Sequence, residues 1–360
     1  MSARRGARAP YPPVVVAHGP AFELVCQLGA FTSGPVRASL EQGKAWIRDV
    51  RRLAGPALLA RVERYGLGAY GELATLVLEA GRPYGLEQLA ERLRATDPAA
   101  LRRRLSGADS ALNRTMVEPQ VLEAALDGQR RAQARLIDAF AGNASERRTL
   151  RRLLETPPVV IRREMVAIVE GWSRRVFPAL SEEPLAAIAR EATSRRRMLR
   201  ARPGREVVLD ATSGLDYRPA AWIKRIVLVP VVALRPFMVP TELGSTALFL
   251  YPVADDALDS EPDAPPRQLV KRAAALGDPL RLRALAQLRD AALSASELAE
   301  RLAVDRTSLH HHLGILRSAG LLAIEDLGER GWRYRLRDEG VGAVGSDIEA
   351  YLERAARGNR

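Results

Sequence analysis

Through most of the first two hundred residues, apolar positions recur three and four residues apart, the spacing of one face of an α-helix. In "PVRASLEQGKAWIRDVRRL", Ala38, Trp46, Ile47, Val50 and Leu53 share such a face. The same pattern runs through "GAYGELATLVLEAG", "GLEQLAERLRA", "EPQVLEAALDGQRRAQARLIDAFAG", "ASERRTLRRLLE", "PPVVIRREMVAIVEGWSRRVF" and "SEEPLAAIAREATSRRRMLRA". The breaks between them fall at Gly and Pro clusters, as helix stops should. After "RPGR" the pattern shortens to β-branched and aromatic runs: Val207, Val208 and Leu209, then "IKRIVLVPVVALRPF" and "STALFLYPV". These predict a small antiparallel sheet with prolines at its edges or bends. Residues 254–266, "ADDALDSEPDAPP", carry acids and prolines without periodicity and predict a linker.

Beyond residue 266 the helical period returns in shorter, capped units. "PRQLVKRAAALG" and "DPLRLRALAQLRDA" predict two helices, the second with Asp278 at the N-cap and Pro279 at the first helical position. "SASELAERLAV" predicts a third, with Ser294 and Glu297 at capping-box spacing. "DRTSLHHHLGILRSAG" predicts a fourth, followed by the strand–turn–strand pattern of "LLAIEDLGERGWRYRLR". "VGSDIEAYLERAAR" closes the chain as a helix, with Ser346 and Glu349 again at capping-box spacing. This order of elements is that of a winged helix-turn-helix. The fold class is therefore α+β: a mainly helical N-terminal domain with a small antiparallel sheet over 1–253, a linker over 254–266, and a winged helix-turn-helix over 267–360.

On the fourth of these helices, Leu309, His312, Leu313 and Leu316 form the stripe that must face a core. The opposite face carries Arg306, Thr307, His310, Gly314 and Arg317, with Ser308 and His311 at its margin. No acid interrupts it, so it can approach phosphates and base edges without like-charge repulsion. The N-terminal part of a recognition helix is the part that reaches bases in the major groove. Arg330, Arg333 and Arg335 on the hairpin suit contact with phosphate or the minor groove. The expected DNA-binding set is thus Arg306, Thr307, Ser308, His310, His311, Arg317, Arg330, Arg333 and Arg335. The run His310–His311–His312 invites a metal reading, but consecutive helical residues point about 100° apart. A paired ligand set needs i, i+4 spacing, and no second His or Cys stands there. No metal or cofactor is expected.

Composition adds a direction rather than an identity. The formal net charge is +12, which favours a polyanionic partner. Lysine stands only at positions 44, 224 and 271, and so strong an arginine bias also follows from a GC-rich coding sequence. Cys26 is alone in the chain, which excludes an intramolecular disulfide and any cysteine-rich metal site. No apolar run approaches the roughly 20 residues of a membrane span. The basic N-terminus is not followed by the apolar stretch of a secretory leader. A cytoplasmic protein is expected.

The stretches "LGDPLRLRALAQL", "SASELAERLAVDRTSLHHHLGILRSAGLL" and "ERGWRYRLR" together resemble the ArsR-type winged helix-turn-helix regulators, over about residues 268–338. The resemblance implies sequence-specific binding to an operator in double-stranded DNA, and a homodimer. It does not carry metal sensing across. "LSASELAERL" lacks the cysteine pair of many metal-sensing members, and "SDIEAYLERAAR" offers Asp347, Glu349 and Glu353 but no histidine. The long N-terminal region points to regulation or dimerisation, with a small-molecule effector as a candidate input. Trp46, Trp172, Trp222, Tyr65, Tyr70, Tyr84 and Tyr217 are aromatic positions for a pocket or for plain core. The basic run 194–205 reads as a backbone or anion contact or as a solvated helix end, and His18 has no nucleophile–base partner nearby in sequence. No catalytic residue is expected. An enzyme fused to a DNA-binding module, and an architectural DNA binder without a sensor, are the alternatives.

Overall fold

A computed structural model describes residues 10–38, 40–108, 117–139, 144–258, 264–326 and 332–358. The N-terminal region opens with β1 (Val14–Val16) and the helices α1 (Pro20–Thr32), α2 (Gly34–Ala38), α3 (Gly43–Val62) and α4 (Leu67–Ala80). It continues with α5 (Leu86–Ala95), α6 (Pro98–Leu105), α7 (Pro119–Leu126), α8 (Arg130–Ala139) and α9 (Ala144–Glu155). Then follow α10 (Pro158–Arg175), α11 (Phe177–Leu180), α12 (Glu182–Ala201) and α13 (Gly204–Ala211). The helix starts are chemically marked. At α6, for example, the Asp97 carboxylate accepts the Ala100 N–H at 2.9 Å and Pro98 takes the first position, where no amide hydrogen is needed.

Next come β2 (Leu215–Asp216), β3 (Arg225–Val231), β4 (Val239–Leu243) and β5 (Thr246–Pro252). The C-terminal elements are α14 (Arg267–Leu276), α15 (Pro279–Gln287), β6 (Leu293–Ser294), α16 (Ala295–Leu302), α17 (Arg306–Ser318), β7 (Leu322–Asp326), β8 (Trp332–Leu336) and α18 (Asp338–Gly358). The α+β class with a helical N-terminal region is the observed one.

The first sheet has the order β1–β3–β5–β4. It is mixed rather than antiparallel: β3 runs parallel to both β1 and β5, and only β4 is antiparallel to its neighbour. The β4–β5 hairpin turns at Gly244, whose φ of 56° is one that glycine adopts without penalty. The reason for the parallel arrangement is visible in "RIVLVPVV", which is apolar at nearly every position instead of every second one. Such a strand is buried on both faces, as strands of parallel sheets are. Val227, Val229, Val231, Leu248 and Leu250 point into a core built with α1, α3, α4, α5 and α10. The alternating residues Ile226, Leu228, Ala247, Phe249 and Tyr251 point into a second core.

That second core is not confined to the N-terminal region. It includes Val207 and Val208, then Leu215, and runs on through Leu285, Leu298, Leu309, Leu313 and Leu316 of the C-terminal helices. The second sheet, β2–β7–β8–β6, crosses the same seam, since β2 pairs in parallel with β7 through Leu215 opposite Ile324. The two regions are therefore joined by one hydrophobic cluster and by main-chain pairing.

Three local expectations change. Val207, Val208 and Leu209 lie in helix α13, not in a strand: Val207, Val208 and Ala211 are buried together on one side while Leu209 is 40 % exposed, a helical period. The closing helix starts at Asp338, so Ser346 and Glu349 fall inside it and cap nothing. The acidic stretch expected as a linker is built into the fold over its first residues. Asp255 pairs with Arg235 and Lys271, and Ala257 is buried. Residues 259–263 of that stretch lie outside the described residues.

Candidate nucleic-acid interface

α16 and α17 are set by local chemistry. Ser294 and Glu297 close a reciprocal capping box: the Glu297 N–H donates to Ser294 Oγ at 3.2 Å, and the Ser294 N–H to Glu297 Oε2 at 2.7 Å. α16 ends at Ala303, which stands in the left-handed region at φ 54° and ψ 47°. The turn Ala303–Val304–Asp305 then redirects the chain, and the Asp305 carboxylate accepts the Ser308 N–H at 3.0 Å at the start of α17. Leu309, Leu313 and Leu316 are fully buried, as their stripe predicts. At α15, Asp278 caps the helix by accepting the Arg281 N–H at 2.9 Å.

The predicted contact residues do not share one environment. Arg306 and Thr307 form the first turn of α17, but their side chains, and all of Arg330, lie outside the described residues. Ser308 is half-buried and His310 is exposed at the same end of the helix. His311 is half-buried, with its ring 5.6 Å from that of Phe237, in the loop before β4. Burial, reinforced by the neighbouring His312 and Arg281, holds His311 below the usual imidazole pKa. His312 turns inward, with Nδ1 3.9 Å from the Asp278 carboxylate. The rings of His311 and His312 stand 5.8 Å apart at 79°. Among the described residues, no group of three or more His, Cys, Asp or Glu side chains is placed to hold a metal ion.

One predicted DNA contact is corrected by this geometry. Arg317 is 4 % exposed, and its Nη1 donates to the Thr212 carbonyl at the end of α13. It cannot reach a duplex from there. Position 317 shares the helix face of Arg306 and His310, but the end of α13 packs over that part of the helix, and it is this tertiary contact that buries the guanidinium. His311 lies outward, and in this arrangement the Phe237 ring stands beside it. Arg333 is half-buried and tied to the Ala292 carbonyl at 2.7 Å and to Glu297 at 3.0 Å, so it anchors the hairpin to α16. Arg335 is exposed and pairs with Glu325 at 3.2 Å, a surface contact that a phosphate can replace.

Phe237 is the residue that sequence reasoning missed. An ideal Cβ built on Gly314 would stand 2.7 Å from Phe237 Cε1, so only glycine at this position lets the ring lie on the outer face of α17. A glycine inside a helix costs about 1 kcal/mol relative to alanine. The close approach of Phe237 gives that cost a structural reason. "LRPFMVP" carries no periodic or chemical signal for such a contact; the odd Gly314 inside a strongly periodic helix is the one available clue.

No described helix is long and apolar enough to cross a membrane. A helix-turn-helix domain family matches residues 276–325, from the end of α14 to β7. No curated protein and no solved structure matches the chain. The capped α16, the three-residue turn, the buried leucine stripe of α17 and this match agree: over residues 276–325 the chain carries a helix-turn-helix domain of the DNA-binding kind.

Proposed function

We propose that this protein is a sequence-specific transcriptional regulator of ArsR type, a repressor, that reads its operator with the amino-terminal half of α17. The observation that carries the reading is the capped helix–turn–helix of α16 and α17, followed directly by the antiparallel β7–β8 hairpin in the position of a wing. Ser308 and His310 supply base-edge contacts, together with Arg306 and Thr307 at the helix start. Arg335 and Arg330 supply phosphate contacts. The reading assigns the chain to regulation in the cytoplasm and not to catalysis.

In this arrangement the middle of the outer face of α17 is covered by Phe237. Full insertion into a major groove therefore requires α17 to part from the N-terminal region. On this reading the present arrangement is a closed one, and a small-molecule effector acts on the balance between it and an open one. The homodimer of the reading is formed through α18, on which Val341, Ile348 and Leu352 are exposed at spacings of seven and four, one apolar stripe. A two-fold dimer of this kind would place its recognition helices on half-sites about 34–36 Å apart.

The test is selection of bound fragments from a random duplex library by the full chain, followed by footprinting. The expected result is a two-fold symmetric site with half-sites about one helical turn apart. A chain that shows no preference for any selected sequence over random DNA, both as wild type and as Phe237→Ala, overturns the reading.

A further inference from the structure

Two arginines buried in the N-terminal region show how this chain ordinarily treats a buried guanidinium. Arg235, 3 % exposed, is held by Glu41 and Asp255. Arg195, 6 % exposed, is held by Glu191 and Asp210. Each buried cation has two carboxylates. Arg317 is buried as deeply, yet among the described residues no carboxylate lies within ion-pair distance of it, and its one hydrogen bond is to the Thr212 carbonyl. A buried charge without a counter-charge is unfavourable unless something else supplies the missing anion. Burial depresses the Arg317 guanidinium to about 10, which still leaves it a cation near neutrality.

The space around it is shaped for a small molecule. Arg317 lines a cleft of about 330 Å³ together with Ser213, Gln268, Arg272, Ser318 and Arg337. Three guanidinium groups thus border one cavity. Of these, Arg272 is paired with Asp347, while Arg337 has no ion pair among the described residues. Glu339, which is exposed, is the acid of the lining. The neutral members are one amide, two hydroxyls and the glycines Gly320 and Gly340. A volume near 330 Å³ exceeds that of a single ion and lies at the lower end of small-molecule sites. A second cleft of about 420 Å³ shares Ser213, Gln268 and Ser318 with it; Arg195, Arg235 and Lys271 line that one together with Glu191, Asp210, Asp255 and Asp256.

We infer that the cleft between α14, the end of α17 and the turn after α13 is a binding site for a small organic anion, whose phosphate or carboxylate group docks on Arg317 and Arg337. A guanidinium fork matches the oxygens of either group, and hydrogen bonds between ionised partners are the strong ones. The site lies on the seam between the two regions, because Arg317 belongs to α17 and Thr212 to the N-terminal side. The assignment does not depend on how the chain reads DNA.

The experiment is a thermal-shift and calorimetric titration of the full chain with sodium phosphate, glycerol 3-phosphate and citrate, each against sodium chloride of matched ionic strength. The expected result is a saturable rise in melting temperature with at least one probe. Glycerol 3-phosphate acting alone assigns a phosphate ester, and citrate acting alone assigns a carboxylate. Arg317→Met weakens that binding by roughly tenfold or more, the loss of a hydrogen bond between charged partners. Should Arg317→Met fail to fold, Arg337→Met, at a half-exposed position, carries the same test with a loss of several-fold. Responses to all three probes that equal the chloride control overturn the inference. So does a saturable response left unchanged in both variants.

Discussion

The two faces of the central sheet are built from the same two strands and have become different kinds of interior. One face, lined by Val227, Val229, Val231, Leu248 and Leu250, is closed by helices of the N-terminal region alone. The other, lined by Ile226, Leu228, Phe249 and Tyr251, is shared with the helix-turn-helix. The shared side also carries the ion-pair network of Arg195 and Arg235 and the clefts at the seam.

Buried acids show the difference. Glu23, behind the first face, accepts the N–H groups of Val232 and Ala233 at 2.9 and 3.0 Å, yet full burial outweighs those bonds and pushes its carboxyl up to about 7. At Asp255, on the seam side, burial also opposes ionisation, but Lys271 and Arg235 outweigh it and hold the carboxyl below its usual range. Asp255 has two cations beside it, and they decide its charge; at Glu23 burial decides it. Paired charges beside partly open clefts exchange their contacts with water or a small molecule more readily than a dry core does.

The contrast can be broken most severely at Phe249, 2 % exposed and edge-on to Tyr217 with ring centroids 4.9 Å apart. Phe249→Ala should cost about 3–5 kcal/mol. Because its cluster reaches the helix-turn-helix core, both regions should melt in one transition by circular dichroism. A variant whose C-terminal helices melt separately would show that the seam is not a common core.

Next in size is the pH response of Glu23. A carboxyl whose folded pKa lies above its unfolded value near 4.5 contributes stability that is complete below about pH 4.5 and is lost as pH rises through about 7. The span corresponds to about 3 kcal/mol. Melting temperatures across that window should fall less steeply in Glu23→Gln than in wild type; parallel curves would remove the assignment.

At the exposed end of α17, His310→Ala should weaken binding to the selected site by roughly 1–3 kcal/mol, with little effect on random DNA, if the imidazole meets a base. Fluorescence anisotropy at two salt concentrations separates the two effects. Removing the cover should act in the opposite direction. Phe237→Ala forfeits about 1–2 kcal/mol of apolar burial in the closed arrangement and should tighten DNA binding several-fold. Unchanged or weaker binding would mean that Phe237 does not gate α17. The smallest effect belongs to the turn: Ala303→Gly relieves a left-handed alanine and should raise stability by up to about 1 kcal/mol, measured by urea denaturation.

Much of the C-terminal region was legible because its signals are local. Asp278, Ser294 and Glu297 cap helices through contacts three residues away, and the stripe Leu309–Leu313–Leu316 follows from the helical period alone. The sheet was misjudged in strand direction because pairing partners lie far apart in the chain; the uninterrupted apolar run in "RIVLVPVV" was the cue for a strand buried on both faces. Val207 and Val208 misled for a related reason: β-branched residues favour strands, but two adjacent valines also fit one buried helix face.

The candidate site divides in the same way. That α17 has one apolar and one polar face, and that its amino-terminal end offers Ser308 and His310, is a consequence of residue order and needs no partner. That Phe237 would cross to Gly314, that Arg317 would turn to Thr212, and that Arg272, Arg317 and Arg337 would border one cleft depend on residues tens of positions apart. Short-range geometry is dictated by bond rotations and hydrogen bonds within a few residues, which a sequence states directly. Which surfaces meet is decided by the burial of apolar area over the whole chain, and only the folded structure resolves that competition.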